Sequence, residues 1–194
     1  MTIDEARDLM HEWTQSEALR IHMECVAACM AAYADKREPA EKDRWTVCGL
    51  LHDFDYEKHP SREEHPFVGV KRLREHHSPS STSPVDEEII NAILGHAEYS
   101  GTPRMTPMQK CLFAVDELAG FIVACCKVRP NGIADLEPKS VRKKLKDKAF
   151  AANVSREDIA TGIRELAELW GIDETQHIQM CIDALRFQSA KLKL

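Results

Sequence analysis

The sequence has 194 residues and a mass of 22.0 kDa, which is enough chain to bury a hydrophobic core without disulfide or metal staples. Hydrophobic residues make up 43% and charged residues 30%, and the formal net charge is −6. This balance gives no general electrostatic reason to expect nucleic acid or an anionic membrane as a partner, so a small anionic substrate would need local positive charge.

The cysteines are typical of a cytosolic protein. There are seven, an odd number, with no C-x-x-C pair, and most of them, such as Cys25 and Cys111, fall in apolar stretches. The N-terminal segment has no basic region followed by an apolar run, and the longest apolar stretch, 111–126, contains Asp116 and Glu117. We therefore expect a cytoplasmic protein with reduced, buried thiols, no signal peptide and no membrane span.

Apolar residues recur at helical spacing along the whole chain, and no stretch alternates like a strand. Helix starts are indicated where Ser or Thr precedes Glu or Gln by three residues, at Thr2, Ser61 and Thr106. Gly171 is expected to end a helix and Asp173 to cap the next one. The predicted class is all-α, with helices near 3–14, 17–34, 40–53, 66–77, 85–98, 107–128, 139–148, 156–170 and 174–191.

Two segments are expected to lie outside the helices. Residues 78–84 are small and polar and predict a loop, and residues 129–138 contain Gly and Pro and predict a connection or hinge. We therefore predict a single domain, in which residues 1–130 form the main helical bundle and residues 131–194 form a C-terminal helical extension on the same core.

Several polar side chains fall where these helices should be buried. Asp116 lies in CLFAVDELAGFIV, Asp53 and His52 follow the apolar run CGLL, and His22 and His96 lie on or beside apolar stripes. Burying an unpaired carboxylate costs on the order of several kcal/mol, so each of these groups needs a partner. One shared divalent cation satisfies all of them most simply.

The order of these residues resembles the HD superfamily, an all-α group in which the pattern H…HD…D binds a divalent metal. His22, the pair His52 and Asp53 in GLLHDFDYE, and Asp116 match that pattern over roughly residues 20–123. His65 in EEHPFVG and His96 in ILGHAEY match the positions that some HD families use for a second metal, although His65 precedes Pro66 and could equally cap a helix or face solvent. The implied fold is an HD-domain helical bundle, with the metal site in residues 1–130.

The remaining histidines carry no such pattern. His59, His76 and His77 lie in very polar surroundings and are expected to be solvated, while His11 and His177 have no partner visible in the sequence.

The resemblance implies a metal-dependent phosphohydrolase. Mixed imidazole and carboxylate ligands suit Mn, Fe, Co, Ni or Zn, and one or two such ions could activate water and neutralise a phosphoryl group. Asp53 would be a ligand and orient the attacking water. Asp55 would be a general acid or an outer-shell partner of the ligands, and Glu57, the other candidate for that role, is more easily read as an exposed loop carboxylate.

The expected substrate is a small phosphate ester or nucleotide, and three cationic residues are candidates to bind it. Arg104 in GTPR could clamp a phosphate bidentately, and Lys110 lies shortly before Asp116 on the same helix. Lys144 belongs to the basic run 139–150. The simpler interpretation of each of these three residues is a solvated surface charge. The basic run is interpreted in the same way, so nucleic acid is not expected as a partner.

Two alternatives stay open. A six-ligand set of four His and two Asp is also found in mixed-valence di-iron oxygenases of the superfamily, and HD-like folds can serve as non-catalytic ligand-binding or signalling modules. The stretch 95–130 followed by SVRKKLKDKAF is similar to stand-alone bacterial HD proteins of the HDIG type that are described only as predicted hydrolases. That similarity does not identify a substrate.

Overall fold

The computed structural model describes residues 1–75, 85–192 and 194. Over these ranges the chain forms α-helices and two 3₁₀ turns, at Pro39–Glu41 and Glu98–Ser100, and contains no strand. The helices are α1 Ile3–Trp13, α2 Glu17–Arg37, α3 Lys42–Leu51, α4 Phe67–Glu75, α5 Glu87–His96, α6 Pro107–Lys127, α7 Pro138–Leu145, α8 Arg156–Trp170, α9 Glu174–Phe187 and α10 Ser189–Leu192. The all-α prediction is confirmed.

Several predicted helices differ by two or three residues at an end, among them 17–34, 85–98 and 139–148, and two others differ in kind. The predicted helix 40–53 begins with the 3₁₀ turn, continues as α3, and ends at Leu51, so His52 and Asp53 lie just beyond the last helical residue. The predicted helix 174–191 is divided at Gln188 into α9 and α10. The end of the predicted helix 66–77, the predicted loop 78–84, and His76 and His77 lie outside the described residues.

Most of the predicted helix ends are confirmed. Thr2 and Thr106 form capping boxes with the residues three positions later, and Asp173 does the same at the start of α9. Gly171 ends α8 with a positive φ of 67°, and its N–H donates to the carbonyl of Ala167. Ser61 is the exception, because its hydroxyl donates to the Glu64 carboxylate within a turn and α4 begins only at Phe67.

The two longest helices, α2 and α6, form the centre of the bundle. They pack against each other, α3 and α9 also pack on α2, and α5 and α8 pack on α6. One core cluster runs from Ala6 in α1 to Leu192 in α10, so the last helices contribute to the same buried surface as the first. All seven cysteines are buried and free, as expected of reduced thiols. None of the described helices combines the length and the apolar character that a membrane crossing needs.

Glycine allows two of these helix pairs to approach closely. A Cβ added to Gly49 in α3 would lie 2.6 Å from the Cα of Ala27 in α2, and one added to Gly162 in α8 would lie 2.5 Å from the Cα of Ala114 in α6. Real side chains do not tolerate such distances, so both crossings require glycine. The first crossing brings the end of α3, with His52, against the segment of α2 that carries His22.

His177, which had no visible partner in the sequence, is fully buried and joins three helices. Its Nε2–H donates to the carbonyl of Ala114 in α6 at 3.0 Å, so its Nδ1 accepts the hydroxyl of Tyr33 in α2 at 2.6 Å. Burial lowers the pKa of His177 to about 4, although the bond to Ala114 acts in the opposite direction. The ring is therefore neutral at physiological pH and both of its nitrogens are satisfied.

Candidate metal centre

The structure brings the six predicted ligands to one place. They come from α2, the end of α3, the loop before α4, the last residue of α5 and the middle of α6. In chain order they are His22, His52, Asp53, His65, His96 and Asp116. His65, for which capping and solvent exposure were alternatives, is buried and belongs to the cluster.

Asp53 lies between two groups of histidines. Its Oδ2 is 3.7 Å from Nε2 of His22 and 3.6 Å from Nε2 of His52. Its Oδ1 is 3.3 Å from Nε2 of His65 and 3.3 Å from Nε2 of His96. The side chains thus form a first triad (His22, His52, Asp53) and a second triad (Asp53, His65, His96) that share one carboxylate, and each triad could hold a metal ion.

Asp116 joins the first triad from α6. Its Oδ1 is 2.9 Å from Nε2 of His22 and 3.4 Å from Nε2 of His52. Those two imidazole nitrogens are themselves 3.2 Å apart. Two imidazoles and two carboxylates therefore converge on one point, which is a donor set suited to a divalent transition metal.

Three of the rings are oriented by acceptors outside the cluster. Nδ1–H of His52 donates to the carbonyl of Gly49 at 2.8 Å, and Nδ1–H of His96 donates to the carbonyl of Ile93. Nδ1–H of His65 donates to the carboxylate of Asp55 at 2.8 Å. In its neutral form each ring would therefore direct the lone pair of Nε2 into the cluster, where the Nε2 atoms of His65 and His96 lie 3.4 Å apart. Acceptors that face one another in this way fit a cation between them.

The electrostatic field of the cluster also favours a cation. Burial opposes the charged form of His52, but Asp53 and Asp116 outweigh it and raise the pKa of that imidazole to about 9. Burial likewise opposes ionisation of Asp116, yet His52 and His22 hold the pKa of its carboxyl well below the usual range. Against the same effect of burial, His52 and His96 likewise lower the pKa of the Asp53 carboxyl. Both carboxylates, largely shielded from solvent, thus stay ionised and require compensating positive charge.

Asp55 lies behind the second triad. The side chain is only 1% exposed. One of its oxygens accepts a hydrogen bond from Nδ1–H of His65, and the other accepts one from the N–H of Gly69 at 2.7 Å. It is not part of the wall of the cavity above the metal ligands. Glu57 is exposed and accepts the N–H groups of Gln15 and Ser16, just before α2.

A cavity of about 640 Å³ opens above both triads. Besides the predicted ligands, its wall includes charged and aromatic side chains that had no predicted role, among them Tyr56, Arg62, Tyr99, Glu117 and Asp158. Of these five, four lie close to a predicted ligand in the sequence: Tyr56 is three residues after Asp53, Arg62 three before His65, Tyr99 three after His96, and Glu117 is next to Asp116. That proximity was the available signal for these four, and no such signal existed for Asp158.

Glu117 is a cavity carboxylate whose ionisation is opposed by its surroundings. Burial, followed by the charge of Asp116, raises the pKa of its carboxyl to about 7. One of its oxygens accepts the N–H of Ser155, the residue that caps α8, at 3.1 Å. This contact fixes the carboxyl group of Glu117 between α6 and the start of α8.

The three residues predicted to bind substrate do not line this cavity. The guanidinium of Arg104 is paired with Glu165 at 2.6 Å, donates to the carbonyl of Gly95, and lies 3.6 Å from the ring centroid of Phe113. Lys110 is in the first turn of α6, and the ammonium of Lys144 lies over the ring of Phe150. Substrate contacts by Arg104, Lys110 and Lys144 stay predictions, and the geometry of the metal centre does not depend on them.

Comparison with known proteins gives one match. A family model described as HD domain matches residues 19–120, just over half of the chain, and this range includes all six predicted ligands. No curated protein and no solved structure matches the chain.

Proposed function

The chain belongs to the HD-domain family, and from this and its metal centre we propose that it is a phosphohydrolase that uses two divalent metal ions. Proteins of this family are generally metal-dependent hydrolases, and the buried histidines and aspartates of this chain could hold the metal. Beyond this general assignment, we propose that the reaction is hydrolysis of a small phosphate ester or nucleotide and that the site holds two ions.

The shared carboxylate of Asp53 carries this proposal. Its Oδ2 faces His22 and His52 while its Oδ1 faces His65 and His96, so each oxygen serves a different pair of imidazoles. A single-metal site would need neither the second pair nor the outer partners that orient it. Two divalent ions held by these residues would activate a water molecule and stabilise charge on the attacking and leaving oxygens of a phosphoryl group.

The protein side chains would have distinct tasks in that reaction. Asp53 and Asp116 would supply negative charge at the ligand cluster, and Asp53, between the triads, would also orient the attacking water. Asp55 would act through His65 and not on the substrate, because it lies behind His65 and does not line the cavity. It fixes the ring that presents Nε2 to the second triad.

Elemental analysis of protein prepared without chelator and without air tests the ligand assignment. We expect two ions per chain in the wild type and none in Asp53→Asn, because both triads lose their common ligand. His65→Ala should lose only the ion of the second triad, and Asp116→Asn only that of the first. Asp158→Asn is the matched control and should keep both, since this carboxylate lines the cavity without contacting the triads. A chain that binds no metal even after reconstitution would contradict the proposal.

Activity is then measured as phosphate release from a panel of phosphomonoesters, phosphodiesters and nucleotides, with Mn, Co, Ni or Zn. Loss of Asp53 should reduce kcat/KM by about 1000-fold, equivalent to about 4 kcal/mol of transition-state stabilisation. Asp35→Asn, at an exposed position outside the cavity, should retain the activity of the wild type. A metal-loaded wild-type protein that releases no phosphate from any member of the panel would refute the phosphohydrolase assignment.

The same ligand set favours a second candidate, a di-iron oxygenase. Four imidazoles and two carboxylates, with one carboxylate shared, are the residues that this alternative requires. Oxygen consumption by the iron-loaded protein, together with inactivity of the Mn and Zn forms towards phosphate esters, would support it. Phosphate release under anaerobic conditions by the Mn or Zn form would exclude it.

A further inference from the structure

The cavity above the metal ligands has two chemically different sides. On the side of the first triad, Glu117 and Asp158 extend from α6 and α8; we call these two residues the acidic wall. On the side of the second triad lie Tyr56, Arg62 and Tyr99; we call these three the arginine wall. The edge of the Tyr56 ring packs against His65, with 5.1 Å between the ring centroids, so the arginine wall directly adjoins the second triad.

Arg62 is the cation of the arginine wall. Its guanidinium carbon lies 5.3 Å from the centroid of the Tyr99 ring, and both side chains are exposed. Within residues 1–75, 85–192 and 194, no carboxylate pairs with Arg62. Stacking on an aromatic ring occupies one face of the guanidinium and leaves the N–H groups at its edge free to bind an anion bidentately.

Arg62 differs from the nearby charged residues Glu98 and Arg104, which are paired with each other or with Glu165. Glu98 also lines the cavity, but its carboxylate is paired with Arg104 at 3.3 Å. Arg104 itself is held by Glu165 and is not part of the wall. Among the described residues that line the cavity, Arg62 is therefore the one Lys or Arg, and it stands opposite the carboxylates of the acidic wall.

We propose that Arg62 is a specificity-determining residue that binds a second anionic group of the substrate, a carboxylate or phosphate separate from the phosphoryl group that reacts. This inference rests on the proposed function, because it assumes that the reacting phosphoryl group lies at the two triads. The acidic wall repels a second anion, and Arg62 attracts it. The substrate is therefore a phosphate compound with two anionic groups, oriented with the second group towards the arginine wall.

Binding of phosphonates to the metal-loaded protein tests this inference without any turnover, because a phosphohydrolase does not cleave their carbon–phosphorus bond. The probes are phosphonoacetate, 3-phosphonopropionate and 4-phosphonobutyrate, each compared with an alkylphosphonate of the same length that lacks the carboxylate. Dissociation constants are measured by calorimetry with the Zn form. We expect the wild type to prefer at least one carboxylate-bearing member by about tenfold, which corresponds to one charge-assisted contact.

Variants assign the preference to the arginine wall. Arg62→Gln should abolish the roughly tenfold preference and leave binding of the alkylphosphonates within about twofold of the wild type. Tyr99→Phe should retain the preference, since the ring that supports the guanidinium remains, and Tyr99→Leu should weaken it. Lys71→Gln removes the same charge from an exposed position that does not line the cavity, and should change nothing. Metal content is measured for every variant.

Three results would overturn the inference: no preference for any carboxylate-bearing probe in the wild type, an equal loss of affinity for both members of a pair in Arg62→Gln, or the same loss in Lys71→Gln. These outcomes are separate from failure of the proposed function, which would appear as absence of phosphate release while the preference for a second anion persisted.

Discussion

Asp55 shows how a residue outside the ligand cluster can control it. Its two oxygens accept from different groups, Nδ1–H of His65 and the N–H of Gly69. A Cβ on Gly69 would lie 2.8 Å from this carboxyl group, so the glycine is what lets the backbone donor approach. The orientation of His65 therefore depends on a short chain of contacts that starts in α4.

Replacement of Asp55 by Asn tests that dependence. The amide offers one oxygen where the carboxylate offers two, so either the bond to His65 or the bond to Gly69 is lost. We expect metal affinity at the second triad to fall about 10- to 100-fold while the first triad is unchanged. Calorimetric titration with Zn or Mn distinguishes the two sites.

Asp35→Asn is the control for this substitution, because Asp35 is exposed and, among the residues that the structure describes, pairs with Lys42. Equal weakening of both triads in Asp55→Asn, or no weakening at all, would show that Asp55 does not position His65.

At the scale of single residues, the sequence predicted which six residues would cluster and missed the residues around them. The cluster could be found because a His or Asp conflicts with an apolar helix face, as at Asp116 and His52, and because the order of the six matches a known pattern. Arg62 and Tyr99 produce no such conflict, since both are exposed and polar residues are ordinary there. Their role depends on which loops meet at the cavity, and that is set by the fold.

At the scale of helices, the crossing of α2 and α3 positions the first triad. His22 lies in α2 and His52 directly follows α3, and their Nε2 atoms are 3.2 Å apart. Gly49 makes the crossing possible because its missing side chain leaves room for the backbone of Ala27.

Gly49→Ala should therefore separate these helices. The new Cβ would lie 2.6 Å from the Cα of Ala27, and backbone atoms cannot move aside as a flexible side chain can. We expect a loss of about 1–3 kcal/mol in the free energy of unfolding of the metal-free protein, measured in urea. The first triad should also lose metal affinity.

Gly120→Ala is the matched control in another helix. Its added Cβ would lie 3.7 Å from the His22 ring, an ordinary contact, so higher helix propensity should stabilise the protein by up to about 1 kcal/mol. If Gly49→Ala is as well tolerated as Gly120→Ala, the close crossing does not set the geometry of the first triad.

Helix ends were predicted well where a side chain or a glycine determines them. The ends at Thr106, Gly171 and Asp173 follow from local hydrogen bonds and from a positive φ, and these depend only on nearby residues. The pair Ser61 and Glu64 has the same local pattern, yet it forms a turn because the chain there must bring His65 to the cluster. The end of α3 before His52 also has no capping side chain or glycine to mark it, so the local sequence could not predict it.

At the scale of the whole molecule, His177 joins the late helix α9 to α2 and α6. Both of its nitrogens are used in the neutral form, and burial lowers its pKa to about 4. An unfolded chain would protonate this histidine with a pKa of about 6.5. Because the unfolded state takes up the proton first, the stability that His177 contributes is fully present above pH 6.5 and declines as the pH falls towards 4.

The difference in unfolding free energy between the wild type and His177→Gln should therefore depend on pH. We expect the advantage of the wild type to shrink by about 2 kcal/mol between pH 8 and pH 5. Urea unfolding of the metal-free proteins measures it, and other titrating groups cancel in the difference. His11→Gln, which replaces an exposed histidine, should give a nearly constant difference. A constant difference for His177→Gln as well would contradict the neutral, buried state of His177.

The distribution of the ligands along the chain has a consequence for folding. From His22 to Asp116 they lie on five segments that are distant in sequence, and Asp53 belongs to both triads. An ion bound at this centre therefore acts as a reversible cross-link, closing several long loops at once as a set of disulfides would. The unfolded chain has no preformed site, so metal availability in the surroundings would also determine how much of the protein survives proteolysis.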